Sequence, residues 1–159
     1  MKCIKLKELL NEIFDDTDSL DAHKVMNKIN LDDFTKSYIS TALWSSTDNL
    51  ESNGGDPLDK KYTIDDIESS TLHRMIKDCK DFQKKYNDLY ERGGWDDNKA
   101  GYDFWLTRNY HGTGFWDRAY GQPDEIEIIG KQLTEASKQY GEYNLYLGDG
   151  AYDGLICGA

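Results

Sequence analysis

One amphipathic segment constrains the fold of this chain most strongly: the run TLHRMIKDCKDFQKKYNDLYER at 71–92. Its apolar residues recur every three or four positions, which is the spacing of one helix face. The stripe comprises Leu72, Met75, Ile76, Cys79, Phe82, Tyr86 and either Leu89 or Tyr90. Ser70 opens the segment, and Gly93 stands where a C-terminal cap belongs. The sequence therefore predicts a long central helix whose apolar stripe must be covered by other elements.

Shorter helices are predicted on both sides of this central helix. Residues 1–46 read as helices, the last of them over about 31–45, and a polar loop follows at 46–62. Thr63 is suited to cap a helical turn before the central helix. Pro123 fits the first position of a helix over about 123–140, because its missing N–H costs nothing there.

The aromatic stretch YDFWLTRNYHGTGFWDRAYG at 102–121 predicts a β-hairpin. Bulky and polar residues alternate along its first half, and NYHGTG supplies the glycines of a tight connection. EYNLYLG and LICG predict two further short strands. The expected fold is α+β: an N-terminal helical lobe and a long central helix packed on a small C-terminal mixed sheet, in the order hairpin, helix, strand. Residues 1–159 are expected to form a single domain, with a mainly helical acidic lobe at 1–98 and a hairpin-helix-strand lobe at 99–159.

Several function classes are disfavoured by what the sequence lacks. No nucleophile-elbow, zinc-protease or phosphate-loop motif is present, so we predict no enzyme activity, no cofactor and no metal. Three cysteines without paired spacing argue against a disulfide framework, which favours the cytoplasm. No apolar run approaches the length of a membrane span, so we expect no membrane association.

The acidic charge is concentrated in the helical half. The net charge is −11, and residues 8–68 carry 15 acidic and five basic side chains. Direct nucleic-acid binding is disfavoured, because phosphate contacts need lysine and arginine. Two interpretations are open: a solvated acidic face, or a surface that engages a basic partner. The candidate partner-binding residues are Asp15, Asp16, Asp18, Asp21, Asp32, Asp33, Asp48, Glu51, Asp56, Asp59, Asp65, Asp66 and Glu68.

The predicted hairpin offers an alternative ligand site formed by Arg108, His111, Asp117 and Arg118. A histidine beside Asp117 could act as a general base, and the two arginines could bind an anion. The competing interpretation is structural: His111 hydrogen-bonds its own turn, and the arginines form ion pairs with Asp103 and Asp117. Exposed tryptophans on the hairpin would instead anchor a protein interface.

Three segments resemble a family of small bacteriophage and prophage proteins. They are IDDIESSTLHRMIKDCKDF, AGYDFWLTRNYHGTGFWDRAYG and LTEASKQYGEYNLYLGDGAYDG, within a similar region of about 38–154. The specific mark is the motif DFWLTRNxHGxGFWDR, and the chain departs from the family where GDGAYDG replaces a GDDG turn. The resemblance implies a phage setting, and it brings no activity and no catalytic residues with it.

The leading hypothesis joins this phage setting to the acidic charge. We expect a phage-encoded protein in the host cytoplasm that binds and inhibits a host protein with a basic surface, such as a nuclease or CRISPR effector. This would be an anti-CRISPR or anti-restriction function. The alternatives are a small-ligand-binding or hydrolytic domain using the hairpin residues, and a structural module that oligomerises through its aromatic face.

Overall fold

The computed structural model describes residues 30–49 and 54–159. These residues form five α-helices and one two-stranded sheet. The helices are α1 (Asp33–Ser45), α2 (Ser69–Arg92), α3 (Asp97–Arg108), α4 (Phe115–Ala119) and α5 (Asp124–Lys138), and the strands are β1 (Leu145–Leu147) and β2 (Ile156–Gly158). Single 3₁₀ turns occur at Leu58–Lys60, Ile64–Asp66 and Gly150–Tyr152. The helices expected before residue 30 lie outside the described residues.

Helix α2 confirms the long central helix predicted from its stripe, and its ends show why it forms there. Glu68 caps the N-terminus, because its carboxylate accepts the Thr71 N–H at 2.9 Å. Gly93 is the C-terminal cap, as predicted. Thr63 caps the preceding turn in a capping box with Asp66, again as predicted.

Helices α1 and α3 pack against each other at very close range. The Phe34 carbonyl oxygen lies so near Gly101 that a Cβ there would collide with it. Two hydrogen bonds join the helices on either side of this point: Ser37 Oγ donates to the Asn98 carbonyl at 2.7 Å, and Trp105 Nε1 donates to Ser45 Oγ at 2.8 Å. Gly101 therefore sets the distance between the two helices.

The hairpin predicted at 102–121 is wrong, because α3 and α4 occupy this stretch. The physical reason is burial on every side of α3, whose buried residues are Ala100, Gly101, Asp103, Phe104, Trp105, Leu106, Thr107 and Arg108. A helix enclosed all round carries no one-sided apolar stripe, so its sequence shows no helical period. The start signal was nevertheless present: Asp96 accepts the Lys99 N–H at 2.8 Å and caps the helix.

The β-structure is a small antiparallel pair near the C-terminus. β1 and β2 pair with Leu145 opposite Gly158, and an isolated parallel bridge joins Ile67 to Ile156. The predicted mixed sheet built on a hairpin is thus reduced to two strands. In the described residues the fold is mostly helical, with this small sheet as its β component.

An aromatic cluster fills the centre of the helices. Phe82 of α2 stacks on Phe104 of α3 with ring centroids 4.1 Å apart, and Phe34 and Tyr38 of α1 lie within 6.0 Å of Phe104. All four side chains are fully buried. Because each buried aromatic removes roughly 150–250 Å² from water, this cluster supplies much of the apolar burial of the helical core.

Candidate functional site

Arg108 lies in the middle of the protein and makes four hydrogen bonds to three separate parts of it. Its Nη1 donates to the Tyr38 hydroxyl at 2.8 Å and to Asp78 Oδ2 at 2.9 Å. Its Nε and Nη2 donate to the carbonyls of Gly141 and Tyr140, at 2.8 and 2.9 Å. The side chain has no exposed surface.

These contacts give Arg108 a structural task. The carbonyls of Tyr140 and Gly141 follow the last turn of α5, where no helical N–H is left to pair with them. A cation is favoured at this end of a helix, since the peptide dipoles leave it partly negative. Arg108 therefore ties α5 to α1 and α2, and it is unavailable to the ligand site predicted for it.

His111 and Asp117 do not form the predicted acid–base pair. The His111 backbone N–H donates to the Leu106 carbonyl at 3.1 Å and ends α3, while Tyr110 adopts the left-handed conformation with φ of 55°. Asp117 accepts a hydrogen bond from Thr113 Oγ1 at 2.8 Å. Among the described residues no hydrogen bond reaches the His111 ring, and partial burial lowers the pKa of this imidazole. The turn thus uses the backbone N–H of His111, and a role for its imidazole stays a prediction.

The predicted acidic surface divides into buried and exposed members. Asp15, Asp16, Asp18, Asp21 and Glu51 lie outside the described residues. Asp48 and Glu68 are buried. Asp48 accepts the Asp56 N–H at 2.9 Å and pairs with Lys61 at 3.1 Å. Burial by itself raises the pKa of Glu68, but hydrogen bonds from Ser70 and Thr71 bring it below the ordinary value. These two carboxylates stabilise the fold and cannot form the partner surface predicted for them.

Three other acidic residues serve local structure. Asp32 caps α1 by accepting the Thr35 N–H at 2.8 Å. Asp66 accepts the Thr63 N–H at 2.8 Å, and Asp56 pairs with Lys60 at 2.7 Å. Each of these three carboxylates is held by a hydrogen bond or an ion pair. They still add negative charge to this part of the surface.

The remaining predicted acids are Asp33, Asp59 and Asp65. Asp59 lines a groove, Asp33 pairs with Lys36 of the same lining, and Asp65 follows Ile64 of that lining in the sequence. This α1 groove runs between α1 and the two 3₁₀ turns before α2, and it is lined by Lys36, Ile39, Ser40, Leu43, Asp59, Thr63 and Ile64. Its floor is apolar, and Asp33 lies one turn before Lys36, with 3.8 Å between their charged atoms. Burial is the main cause that raises the pKa of Asp65, and the charge of the neighbouring Asp66 adds to this rise.

Arg118, the last residue of the predicted ligand site, lines a different and larger depression. This Arg118 cleft has a volume of about 710 Å³. It lies between α3, the Gly93–Gly94 turn and the segment that links α4 to α5. Its lining residues are Ser37, Gly93, Gly94, Trp95, Asn98, Lys99, Tyr102, Asp103, Arg118, Gln122 and Ile126.

A buried carboxylate positions Arg118 at the wall of the cleft. Asp103 is 1% exposed and accepts from two donors: Trp95 Nε1 to Oδ2 at 2.8 Å and Arg118 Nε to Oδ1 at 3.4 Å. The guanidinium lies 5.7 Å from the centre of the Tyr102 ring. Burial raises the pKa of Asp103, while the Trp95 hydrogen bond and the Arg118 charge oppose that rise. Arg118 and Asp103 therefore hold each other in place, as the alternative ion-pair interpretation expected.

Most of this cleft carried no signal in the sequence. The predicted site residues did not include Trp95, Lys99 and Tyr102. These residues line the same cleft as Arg118 because α3 and α4 are helices rather than strands. Of the tryptophans, Trp95 and Trp105 are buried, whereas Trp44 and Trp116 are 41% and 46% exposed. Of the two tryptophans in the predicted hairpin that could anchor a protein interface, Trp105 is buried and Trp116 is exposed, so only Trp116 keeps that predicted role.

Comparison with protein-family models, with curated proteins and with solved structures gives no match to this chain. Within residues 30–49 and 54–159, no helix is long and apolar enough to cross a membrane. The same residues contain no group of three or more histidine, cysteine or carboxylate side chains arranged to hold a metal ion.

Proposed function

We propose that this is a phage-encoded binding protein that inhibits a host protein with a basic surface, of the nuclease or CRISPR-effector kind. The observation that carries the proposal is the position of Asp33, Asp59 and Asp65. Asp59 lines the α1 groove with its apolar floor, Asp33 pairs with Lys36 of that lining, and Asp65 follows Ile64 of that lining in the sequence. The phage setting rests on the sequence resemblance alone.

The chemistry of the α1 groove favours a partner segment that combines lysine or arginine with an apolar side chain. The buried residues Ile39, Leu43 and Ile64 would contact the apolar part, while the surrounding carboxylates would attract the cations. Complementary charge speeds encounter and selects among partners. Lys36 is the one cation among the described residues that line the groove. Its contact with Asp33 is long, at 3.8 Å, so Asp33 offsets only part of a charge that opposes a basic partner.

The test is a direct binding measurement on a panel of purified bacterial nucleases and CRISPR effectors, at low and at high salt. The variant Asp33→Asn/Asp59→Asn/Asp65→Asn removes three charges at the groove. The control Asp88→Asn/Glu91→Gln/Glu142→Gln removes three exposed charges elsewhere.

We expect the groove variant to weaken binding about tenfold, because exposed ion pairs contribute about 0.2–1 kcal/mol each. The control should weaken it much less, and high salt should weaken binding by the unmodified protein. Inhibition of the bound enzyme should be lost in parallel. The proposal would be refuted if the affinity did not change with salt, or if the groove variant bound as tightly as the control variant.

A further inference from the structure

The Arg118 cleft is lined by more cationic than acidic side chains. The whole chain carries a net charge of −11. The charged side chains lining this cleft are nevertheless two cations, Lys99 and Arg118, and one acid, Asp103. Lys99 also lies 3.8 Å from Asp96, which offsets part of its charge. Since Asp103 is buried behind Arg118, a molecule entering the cleft meets the cations first.

Arg108 and Arg118 differ in how many guanidinium donors remain available to a ligand. Arg108 uses Nε, Nη1 and Nη2 in hydrogen bonds and has no exposed surface. Arg118 has a side chain that is 49% exposed, and its one hydrogen bond among the described residues is made by Nε. The edge formed by Nη1 and Nη2 is therefore left for a ligand, and this planar pair of donors matches the two oxygens of a carboxylate or phosphate.

The arginine is also held ready in the orientation that such binding needs. Asp103 fixes its Nε side, Trp95 fixes Asp103, and the Tyr102 ring lies beneath the guanidinium. A positioned guanidinium loses less freedom on binding than a mobile one. Asp103 is thus a positioning residue for Arg118.

The walls of the cleft indicate the remainder of the ligand. Trp95, Tyr102 and Ile126 present apolar surface, and Ser37, Asn98 and Gln122 provide polar groups at the edge. A volume of about 710 Å³ falls within the ~300–1,000 Å³ of small-molecule sites. We propose that the Arg118 cleft binds a small organic anion, with its carboxylate or phosphate on the outer edge of Arg118 and its apolar part against Trp95 and Ile126. This site is separate from the α1 groove, so each proposal can fail alone.

The indole N–H signals in a ¹⁵N-correlation NMR spectrum provide the test. The Trp95 N–H donates to Asp103, whereas the Trp105 N–H donates to Ser45 and serves as an internal control. The probes are benzoate, phenyl phosphate, inorganic phosphate and the neutral benzyl alcohol, titrated into the full chain. Trp95→Phe assigns the signal.

We expect benzoate, phenyl phosphate or both to shift the Trp95 signal saturably, with the Trp105 signal unmoved. The benzoate and phenyl phosphate arms distinguish a carboxylate ligand from a phosphate ligand, and inorganic phosphate should bind more weakly than phenyl phosphate because it lacks the apolar part. An equal response to benzyl alcohol, or no shift with either aromatic anion, would overturn the proposal.

Variants then locate the anion. Arg118→Gln should weaken anion binding about tenfold or more, since a hydrogen bond to a charged group is lost. Arg118→Lys keeps the charge but loses the paired donors, so it should retain the fold and bind with intermediate affinity. Arg74→Gln alters an exposed arginine on α2 outside the cleft and should bind like the unmodified protein. Unchanged affinity in both folded Arg118 variants would refute the assignment.

Discussion

Replacing Arg108 by methionine tests whether one buried cation holds the helices together. Methionine keeps an unbranched apolar chain of similar reach but removes all four hydrogen bonds. The substitution leaves the Asp78 carboxylate without its partner and the carbonyls of Tyr140 and Gly141 unsatisfied. These are three separate penalties, and each can be bounded from the geometry.

Breaking a buried ion pair costs about 3–5 kcal/mol, and each unsatisfied buried acceptor costs about 1–3 kcal/mol. Undiscounted, the three penalties would reach about 5–11 kcal/mol. The Asp78 side chain retains 19% exposure, Gly141 is exposed and Tyr140 is half-buried, so water can partly solvate all three acceptors and lower this cost. We therefore expect Arg108→Met to lower the free energy of unfolding by about 3–5 kcal/mol. Domains of this size are stable by only about 5–15 kcal/mol, so this loss is a large fraction of the total.

The assay is urea denaturation followed by circular dichroism. With a slope of about 1–3 kcal/mol per molar urea, the midpoint should fall by about 2 M. Arg74→Met is the matched control: this exposed arginine lies 4.7 Å from the Tyr143 ring and should cost about 1 kcal/mol or less. If Arg108→Met cost no more than the Arg74 control, the structural role assigned to Arg108 would be refuted.

Two further predictions concern helix ends. Glu68→Ala should destabilise α2 by about 1–2 kcal/mol at neutral pH, because the Thr71 N–H loses its acceptor. Since the folded-state pKa of Glu68 is lowered, its contribution is present above the unfolded-state pKa and fades as pH falls through the folded value. Urea midpoints of both proteins should therefore converge in acid, and a difference that stayed constant would contradict this pKa. Tyr110→Gly should stabilise the fold by about 0.5–1 kcal/mol, because Tyr110 is 61% exposed and has a positive φ that favours glycine. The melting temperature should therefore rise. A lower melting temperature would show that the Tyr110 side chain stabilises the fold.

The helices were predictable where a local signal marks them. The α2 stripe, the Gly93 cap and the Thr63 turn depend on residues within a few positions of one another, and the structure contains all three. Helix α3 was not predictable in this way, because it is enclosed by its neighbours and its pattern of burial is set by them. Alternating bulky and polar residues then imitate a strand although the backbone is helical.

The candidate sites depended even more on tertiary structure. Arg118 and Asp103 were named as a possible ion pair and do lie 3.4 Å apart, yet the cleft around them needs Trp95 and Lys99. The sequence shows that acidic residues are concentrated within residues 8–68. It could not separate the buried Asp48 and Glu68 from exposed members such as Asp59, because side-chain burial is decided by packing between elements.

The bonds of Arg108 also bear on the order in which the chain folds. They span 30, 32, 33 and 70 residues, so every one of them requires a long loop to be closed first. The guanidinium gives up its hydration only when all its acceptors are assembled around it. We therefore expect these contacts to form late in folding, so that Arg108→Met raises the unfolding rate more than it lowers the folding rate.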